Sequence, residues 1–245
     1  MKIVFAGPSL WPALDKGQAP INVDAGIVLR PPAARGDILR ALENGASQIG
    51  LIDGLFGDRP SISHKEILFA LSRGCQVIGG ASMGALRAAE CKSYGMQGVG
   101  TIFADYVTGL RVSCSDVAVV HAPEHLQWRP LSMARIDVQA TLDAATAIWP
   151  KGSINLLRHA AAATHFSKLT WEELTSSVST CEQLTAWLHA NTVHRKHLDA
   201  IAVLDVLAAP APLQVGFEFE ITKSLAADID KHAPCLTVPK RITSA

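Results

Sequence analysis

Short apolar segments alternate with amphipathic ones through the first half of the chain. Each apolar segment ends at a glycine, a proline or a polar residue, which is typical of buried strands followed by turns. The predicted strands are Lys2–Ala6, Gly26–Leu29, Ser47–Asp53, Cys75–Ala81 and Val117–His121.

Helical patterns fill the intervals between these strands. Asp37 is the predicted N-cap of one helix, and Ser63 caps another that runs through Arg73, with Glu66 completing a capping box. A third helix is predicted over Met83–Lys92. Strands separated by helices imply parallel crossover units, so the predicted fold class is α/β, with a parallel-sheet, three-layer core.

Beyond Pro130 the strand patterns stop and a helical C-terminal extension is predicted. We expect the α/β core over residues 1–130 and a helical layer or small helical domain over 131–208. Residues 209–245 form a tail of uncertain structure, although Val215, Phe217, Phe219 and Ile221 alternate like a single strand. The helices predicted after Pro130 are Ser132–Ile148, Ile154–His165, Trp171–Ser176, Cys181–His189 and His197–Ala208.

Composition and charge narrow the classes of function. Apolar residues make up 49% of the chain and charged residues 18%, which favours a large core over disorder. Lys plus Arg and Asp plus Glu both number 22, so no basic surface for nucleic acid or an anionic membrane is indicated. No apolar run reaches the roughly 18 residues of a membrane helix, and the first apolar stretch is too short for a signal peptide. We expect a soluble, cytoplasmic protein whose oligomeric state the sequence leaves open.

The cysteines and histidines predict no metal centre. The five cysteines are dispersed without a CxxC pair, and the nine histidines show no ligand spacing. No GxxxxGK[ST] loop is present, and no cofactor is predicted. The stretch from His194 to His197 is interpreted as solvated.

The sharpest chemical motif is Gly80-Ala81-Ser82-Met83-Gly84, between a predicted strand and a predicted helix. In this GxSxG arrangement the glycines allow a sharp turn that exposes the serine hydroxyl at the carboxyl end of the strand. The amide of Met83, at the helix N terminus, can then face a developing oxyanion. A tight packing turn without catalysis is the alternative interpretation.

A serine nucleophile needs a base, and two alternatives stand open. Asp116 and His121 follow Ser82 in the order expected of a triad, but both lie on or beside one predicted strand. Lys65 begins the helix before the serine's strand and can act only when neutral, which burial or a nearby cation such as Arg87 favours. The plainer interpretation of Lys65 is a solvated residue of the first helical turn.

The loops after parallel strands meet at one edge of a sheet, so we predict a pocket there. Its expected borders are Gly7-Pro8-Ser9, Asp53-Gly54 and the loop Arg30–Arg35, whose prolines can hold a guanidinium towards a carboxylate or phosphate. A surface turn with ordinary arginines is an equal alternative. The candidate oxyanion and pocket residues are Met83, Gly80, Ser9, Asp53, Arg30, Arg35, Arg87 and His64.

Several consecutive motifs resemble the core of the TfuA-like family, in order from Gly7 to about Leu142. They are LRPPAARGDILRALE, IGLIDGLF, HKEILFALSRG, IGGASMGALRAAE, YGMQGVGTIFADY, VAVVHAPE and RPLS. The family is associated with YcaO enzymes, which activate peptide amides with ATP during backbone thioamidation.

The resemblance implies a hydrolase that releases sulfide from a thiocarboxylated, ThiS-like carrier protein and supports a YcaO partner. It carries the family's Ser–Lys pair onto Ser82 and Lys65, and so favours Lys65 over the Asp116/His121 triad. Cys114 is either incidental or involved in handling sulfur. The rival functions are a non-catalytic adaptor for the YcaO enzyme and a serine esterase acting on small acyl substrates.

Overall fold

A five-stranded, all-parallel sheet forms the centre of the molecule. The computed structural model describes residues 1–17, 26–57, 59–178, 180–210 and 215–237. The strands lie in the order β2-β1-β3-β4-β5, so the chain leaves β1 towards one edge and then continues from β3 towards the other. Their bounds are β1 Lys2–Phe5, β2 Ile27–Arg30, β3 Gln48–Leu51, β4 Gln76–Gly79 and β5 Gln97–Gly98.

Helices cover both faces of this sheet, which confirms the predicted α/β fold. Ile3, Leu51 and Val77 point to the face covered by α2, α3 and α4. Val4 and Ile78 point to the opposite face, where α10 packs. The helices of the first half are α1 Trp11–Leu14, α2 Asp37–Glu43, α3 His64–Ser72, α4 Met83–Cys91 and α5 Thr101–Val107; those of the second half are α6 Arg135–Ala145, α7 Lys151–Ala163, α8 Trp171–Ser177, α9 Glu182–Ala190, α10 Arg195–Ala208 and α11 Lys223–His232.

The helical part has a core of its own, formed by α6 to α9, and then returns to the sheet through α10. Leu142, Leu157, Trp171 and Leu188 are among the buried residues of that core. α10 lies so close to β3 that a Cβ on Gly50 would come within 2.3 Å of the Leu207 side chain. No helix in the described ranges has the length and apolarity to cross a membrane.

Three local predictions are wrong. The fifth strand is β5 (Gln97–Gly98), whereas the apolar run 117–121 is a loop with a single bridge between His121 and Pro130. Asp37 is the first residue of α2 and not its N-cap. Gly36 is the N-cap, with φ of 89°, a backbone conformation that glycine adopts without the steric cost of a Cβ. Residues 215–222 form no strand and lead into the unpredicted α11.

The predicted capping box of α3 is confirmed. Ser63 accepts a hydrogen bond from the Lys65 amide, and the Glu66 carboxylate accepts one from the Ser63 amide. The other oxygen of Glu66 accepts from the Gly36 amide at 2.7 Å, so this buried side chain also joins α2 to α3. Burial raises the pKa of Glu66 to about 7, and the two amides oppose the rise.

Candidate active site

The chain turns sharply between β4 and α4, at the GxSxG motif. Ser82 is the N-cap of α4, and its amide bonds back to the Gly80 carbonyl at 2.8 Å. The strained position is Ala81, which has φ of 65° and is fully buried. A non-glycine residue in this region costs free energy, which the surrounding packing must supply. Ser82 therefore stands at the carboxyl end of its strand, as predicted.

Glycines let α4 start directly against the sheet. A Cβ on Gly84 would lie 1.7 Å from the carbonyl oxygen of Leu51, and one on Gly79 would lie 2.2 Å from the carbonyl oxygen of Gly84. Neither position can accept a side chain without moving backbone. The Gly84 amide donates to the Ile52 carbonyl at 3.2 Å, which fixes the first turn of α4 against the end of β3.

Two polar groups at this turn have no partner within the described part of the chain. One is the hydroxyl of Ser82, on a side chain that is almost completely buried; the other is the amide of Met83. Free amides are expected in the first turn of a helix, where they attract negative charge. A nucleophile and a donor for an oxyanion thus stand on adjacent residues.

Both residues line a cavity of about 330 Å³ at the point where the strand order reverses, between β1 and β3. Sheets of this type bind ligands at that edge. The predicted borders converge there, since Pro8, Pro32, Asp53 and Gly54 line the same cavity. The remaining lining residues are Phe56, Gly57, Leu86, Cys114, Val117, Ala118, Val119, Val120, His121, Phe166 and Lys196.

Asp53 organises the floor of the cavity. One carboxylate oxygen accepts hydrogen bonds from the amides of Gly7 and Ser9, at 2.9 and 3.0 Å. The other accepts from the Ser9 hydroxyl at 2.7 Å. The Asp53 side chain thereby joins the loop after β1 to the end of β3. Ser9 does not line the cavity, but it is hydrogen-bonded to Asp53, which does.

Lys196 enters the same cavity from α10, on the opposite face of the sheet. Its side chain is 5% exposed, and Nζ donates to the Val117 carbonyl at 2.8 Å and lies 4.0 Å from Asp53 Oδ1. The interpretation of His194–His197 as a solvated stretch is therefore wrong for this residue. Extending the helical period of the buried Ala200 and Val203 back by one turn reaches position 196, and that signal was available in the sequence.

A second buried carboxylate, that of Asp137, contacts the backbone of Lys196. Asp137 Oδ1 accepts a hydrogen bond from the Lys196 amide at 3.2 Å. Burial raises the pKa of Asp137 to about 6, while Lys196 opposes the rise. His197, one residue further along, hydrogen-bonds the Ser9 carbonyl at 3.0 Å. The first turn of α10 is thus fixed to both halves of the chain.

Comparison with known proteins agrees with the resemblance seen in the sequence. Residues 53–170 match the family model described as TfuA-like protein. The matched segment belongs to the TfuA-like family. It begins at Asp53 and contains Ser82 and Asp137, but it ends before Lys196. No curated protein matches the chain.

The TfuA-like segment also carries His121, the base of the alternative triad. His121 lines the cavity, packs edge-on against Trp128 with 5.3 Å between ring centroids, and its Nδ1 hydrogen-bonds the Ala122 carbonyl. Asp116 does not pair with it, because that carboxylate lies 3.4 Å from Arg111 and 3.7 Å from Arg135. The structure therefore forms no Asp116–His121 pair.

Lys65 lies outside the Ser82 cavity. Its Nζ donates to Thr222 Oγ1 at 3.0 Å, just before α11. It shares a helix face with Phe69, which packs against α11 and not against the sheet. The structure does not bring Lys65 to Ser82.

The predicted cationic pocket residues are also placed elsewhere. Arg35 pairs with Asp228 of α11 at 2.8 Å, and Arg30 is exposed at the end of β2. Arg87 and His64 share the carboxylate of Glu90, at 2.6 and 2.7 Å. None of these four lines the Ser82 cavity. Among the described residues, no group of three His, Cys, Asp or Glu side chains can hold a metal.

Proposed function

We propose that this TfuA-like protein is a serine hydrolase that releases sulfide from a thiocarboxylated, ThiS-like carrier and supports a YcaO enzyme in peptide backbone thioamidation. The substrate and the YcaO partnership come from the family resemblance. The observation that carries the hydrolase proposal is the Ser82 hydroxyl beside the Met83 amide, both lining one cavity and neither bonded to another described residue.

The chemistry follows from these two groups. Ser82 Oγ attacks the thiocarboxylate carbon and gives up its proton, while the Met83 amide donates to the oxygen that gains negative charge. The carbon–sulfur bond then breaks, and the sulfur leaves with that proton as hydrosulfide, which takes up a second proton when the ester is hydrolysed. Water attacks the resulting ester, releases the carrier carboxylate and restores the hydroxyl. The net reaction consumes one water and forms one hydrogen sulfide.

Within this proposal Lys196 is the group that moves the proton. As a free amine it takes the proton of Ser82, and as an ammonium it passes that proton to the departing sulfur. Its support is position, because it is a buried amine in the cavity of Ser82, whereas Lys65 is bonded to Thr222 outside it. His121 lines the same cavity and is the competing base.

The direct experiment incubates the protein with a thiocarboxylated carrier and measures sulfide release. We expect Ser82→Ala and Lys196→Arg each to lose a factor of about a thousand or more. Arginine at 196 carries a permanent positive charge beside Asp53 and Asp137 and cannot give up a proton. Lys65→Arg is the matched control and should keep most of the activity.

Other outcomes would redirect the proposal. Loss of activity in Lys65→Arg with an active Lys196→Arg would assign the proton transfer to Lys65. An inactive His121→Ala beside an active Lys196→Arg would assign it to His121. Full sulfide release by Ser82→Ala would refute the serine hydrolase. A wild-type protein that releases no sulfide yet stimulates its YcaO partner would be an adaptor.

A further inference from the structure

A second cavity, separate from that of Ser82, is lined mainly by polar groups. It has a volume of about 230 Å³ and lies among α6, α7, the first turn of α10 and the loop before residue 114. Four guanidinium groups line it, from Arg111, Arg135, Arg158 and Arg195. We refer to this cavity as the arginine cleft.

Two of the four arginines hold the cleft together. Arg111 donates to Asp105 at 3.1 Å, to Asp116 at 3.4 Å and to Gln139 at 2.7 Å. Arg135 donates to the carbonyls of Ala161 and Thr164, at the end of α7. Their side chains are mostly buried, so they form a rigid wall.

The other two present donors to the open space. The guanidinium of Arg195 donates no hydrogen bond among the described residues, and it lies 3.7 Å from the carboxylate of Asp105, which is already bonded to Arg111. Arg158 uses Nη2 for Thr146 and Asp143, and no partner of its other nitrogens lies in the described residues. Both side chains are about one-third exposed.

The carboxylates around the cleft are already engaged. Asp105 and Asp116 accept from Arg111, Asp143 pairs with Arg158, and Asp137 and Asp199, which lie near Arg195, accept from backbone amides. Among the described residues, the Arg195 guanidinium has no hydrogen-bond acceptor. Guanidinium groups recognise phosphate and carboxylate oxygens through paired N–H donors, and a partly enclosed site strengthens that attraction.

We propose that the arginine cleft binds a small phosphate-type oxyanion, with Arg195 and Arg158 as its principal donors. The volume is below the roughly 300 Å³ at which sites for drug-sized ligands begin, so the cleft suits an ion of one or two phosphate groups. The proposal does not depend on the hydrolase chemistry at Ser82.

Isothermal titration of the full chain with inorganic pyrophosphate tests the proposal. Arg195→Ala and Arg158→Ala should each weaken binding about tenfold or more. Arg195→Lys should recover only part of the affinity, because a lysine keeps the charge without the paired donors. Arg73→Ala, which removes an exposed arginine at the end of α3, is the charge-matched control and should bind as the wild type does.

Three results would overturn the proposal. They are the absence of pyrophosphate binding by the wild type, wild-type affinity in both alanine variants, and a loss of affinity in Arg73→Ala as large as the loss in those variants. A parallel titration with citrate separates phosphate from carboxylate as the source of the oxyanion, and citrate binding without pyrophosphate binding would contradict the phosphate assignment. Binding of a glutamate-rich peptide without binding of pyrophosphate would overturn the proposal and indicate that the cleft contacts an acidic segment of another protein.

Discussion

Gly84 gives the most direct test of how the site is built. Its amide bonds to Ile52, and a Cβ at this position would lie 1.7 Å from the Leu51 carbonyl oxygen. Ordinary contact begins at 3.4 Å, so Gly84→Ala must displace the first turn of α4 by about the difference. The obstacle is backbone in a buried strand and cannot rotate away.

The cost of this displacement can be worked out from its parts. Losing the hydrogen bond to Ile52 costs about 1 kcal/mol, and overpacking costs about 1–3 kcal/mol more. A chain of this length loses roughly 2–4 °C of melting temperature per kcal/mol, so we expect a fall of about 5–15 °C. Sulfide release should fall about a hundredfold, because Ser82 moves with the helix.

The assay is thermal unfolding followed by circular dichroism, with Gly152→Ala as the matched control. Gly152 lies in the first turn of α7 and would place its Cβ in open space, so alanine should raise stability by up to about 1 kcal/mol. An unchanged melting temperature for Gly84→Ala would show that α4 does not begin against the end of β3.

Three further predictions concern two buried carboxylates and the cysteines. The pKa of Glu66 is raised from 4.5 to about 7, so folding favours its protonated form. The free energy of unfolding should therefore fall by about 3 kcal/mol as pH rises from about 4.5 to about 7. Urea titrations should show a flatter pH dependence for Glu66→Gln than for the wild type, and an identical dependence would contradict the raised pKa. Asp199 accepts from the first amides of α5 at 3.0 and 2.8 Å, so Asp199→Ala should cost about 1–2 kcal/mol in the same titrations, and no loss would remove this cap. Cys114 is exposed, whereas burial raises the pKa of Cys91 to about 11, so maleimide should label Cys114 and spare Cys91 in the native protein; mass spectrometry of the labelled chain decides this, and rapid labelling of Cys91 would contradict its burial.

The sheet could largely be predicted because its central strands are buried on both faces. Ile49, Leu51, Val77 and Ile78 are fully buried, and such strands read as continuous apolar runs. The motif around Ser82 could be predicted because α4 begins in contact with the sheet, and that close contact requires glycine at positions 79 and 84. Asp53 could be found because it directly follows a strand.

Other elements gave no comparable signal. β5 has two residues, Gln97 and Gly98, and neither is apolar, whereas the apolar run at 117–121 forms the wall of a cavity. Lys196 is distant from Ser82 in sequence, and only the packing of α10 on the sheet unites them. The helical period of α10 extends to position 196, but the expectation that charged residues lie at the surface outweighs that signal.

The position of α10 has a practical consequence for work on fragments. The segment matched by the family model, 53–170, excludes β1, β2, β3 and α10, although β3 lies beside β4 and α10 covers one face of the sheet. Expressed by itself, that segment would leave Ile78 and Ala81 facing water and would turn β4 into an open edge, both of which promote aggregation. A fragment intended to fold should begin with β1 and extend through α10, because the unit that recurs among sequences is smaller than the unit that buries its own core.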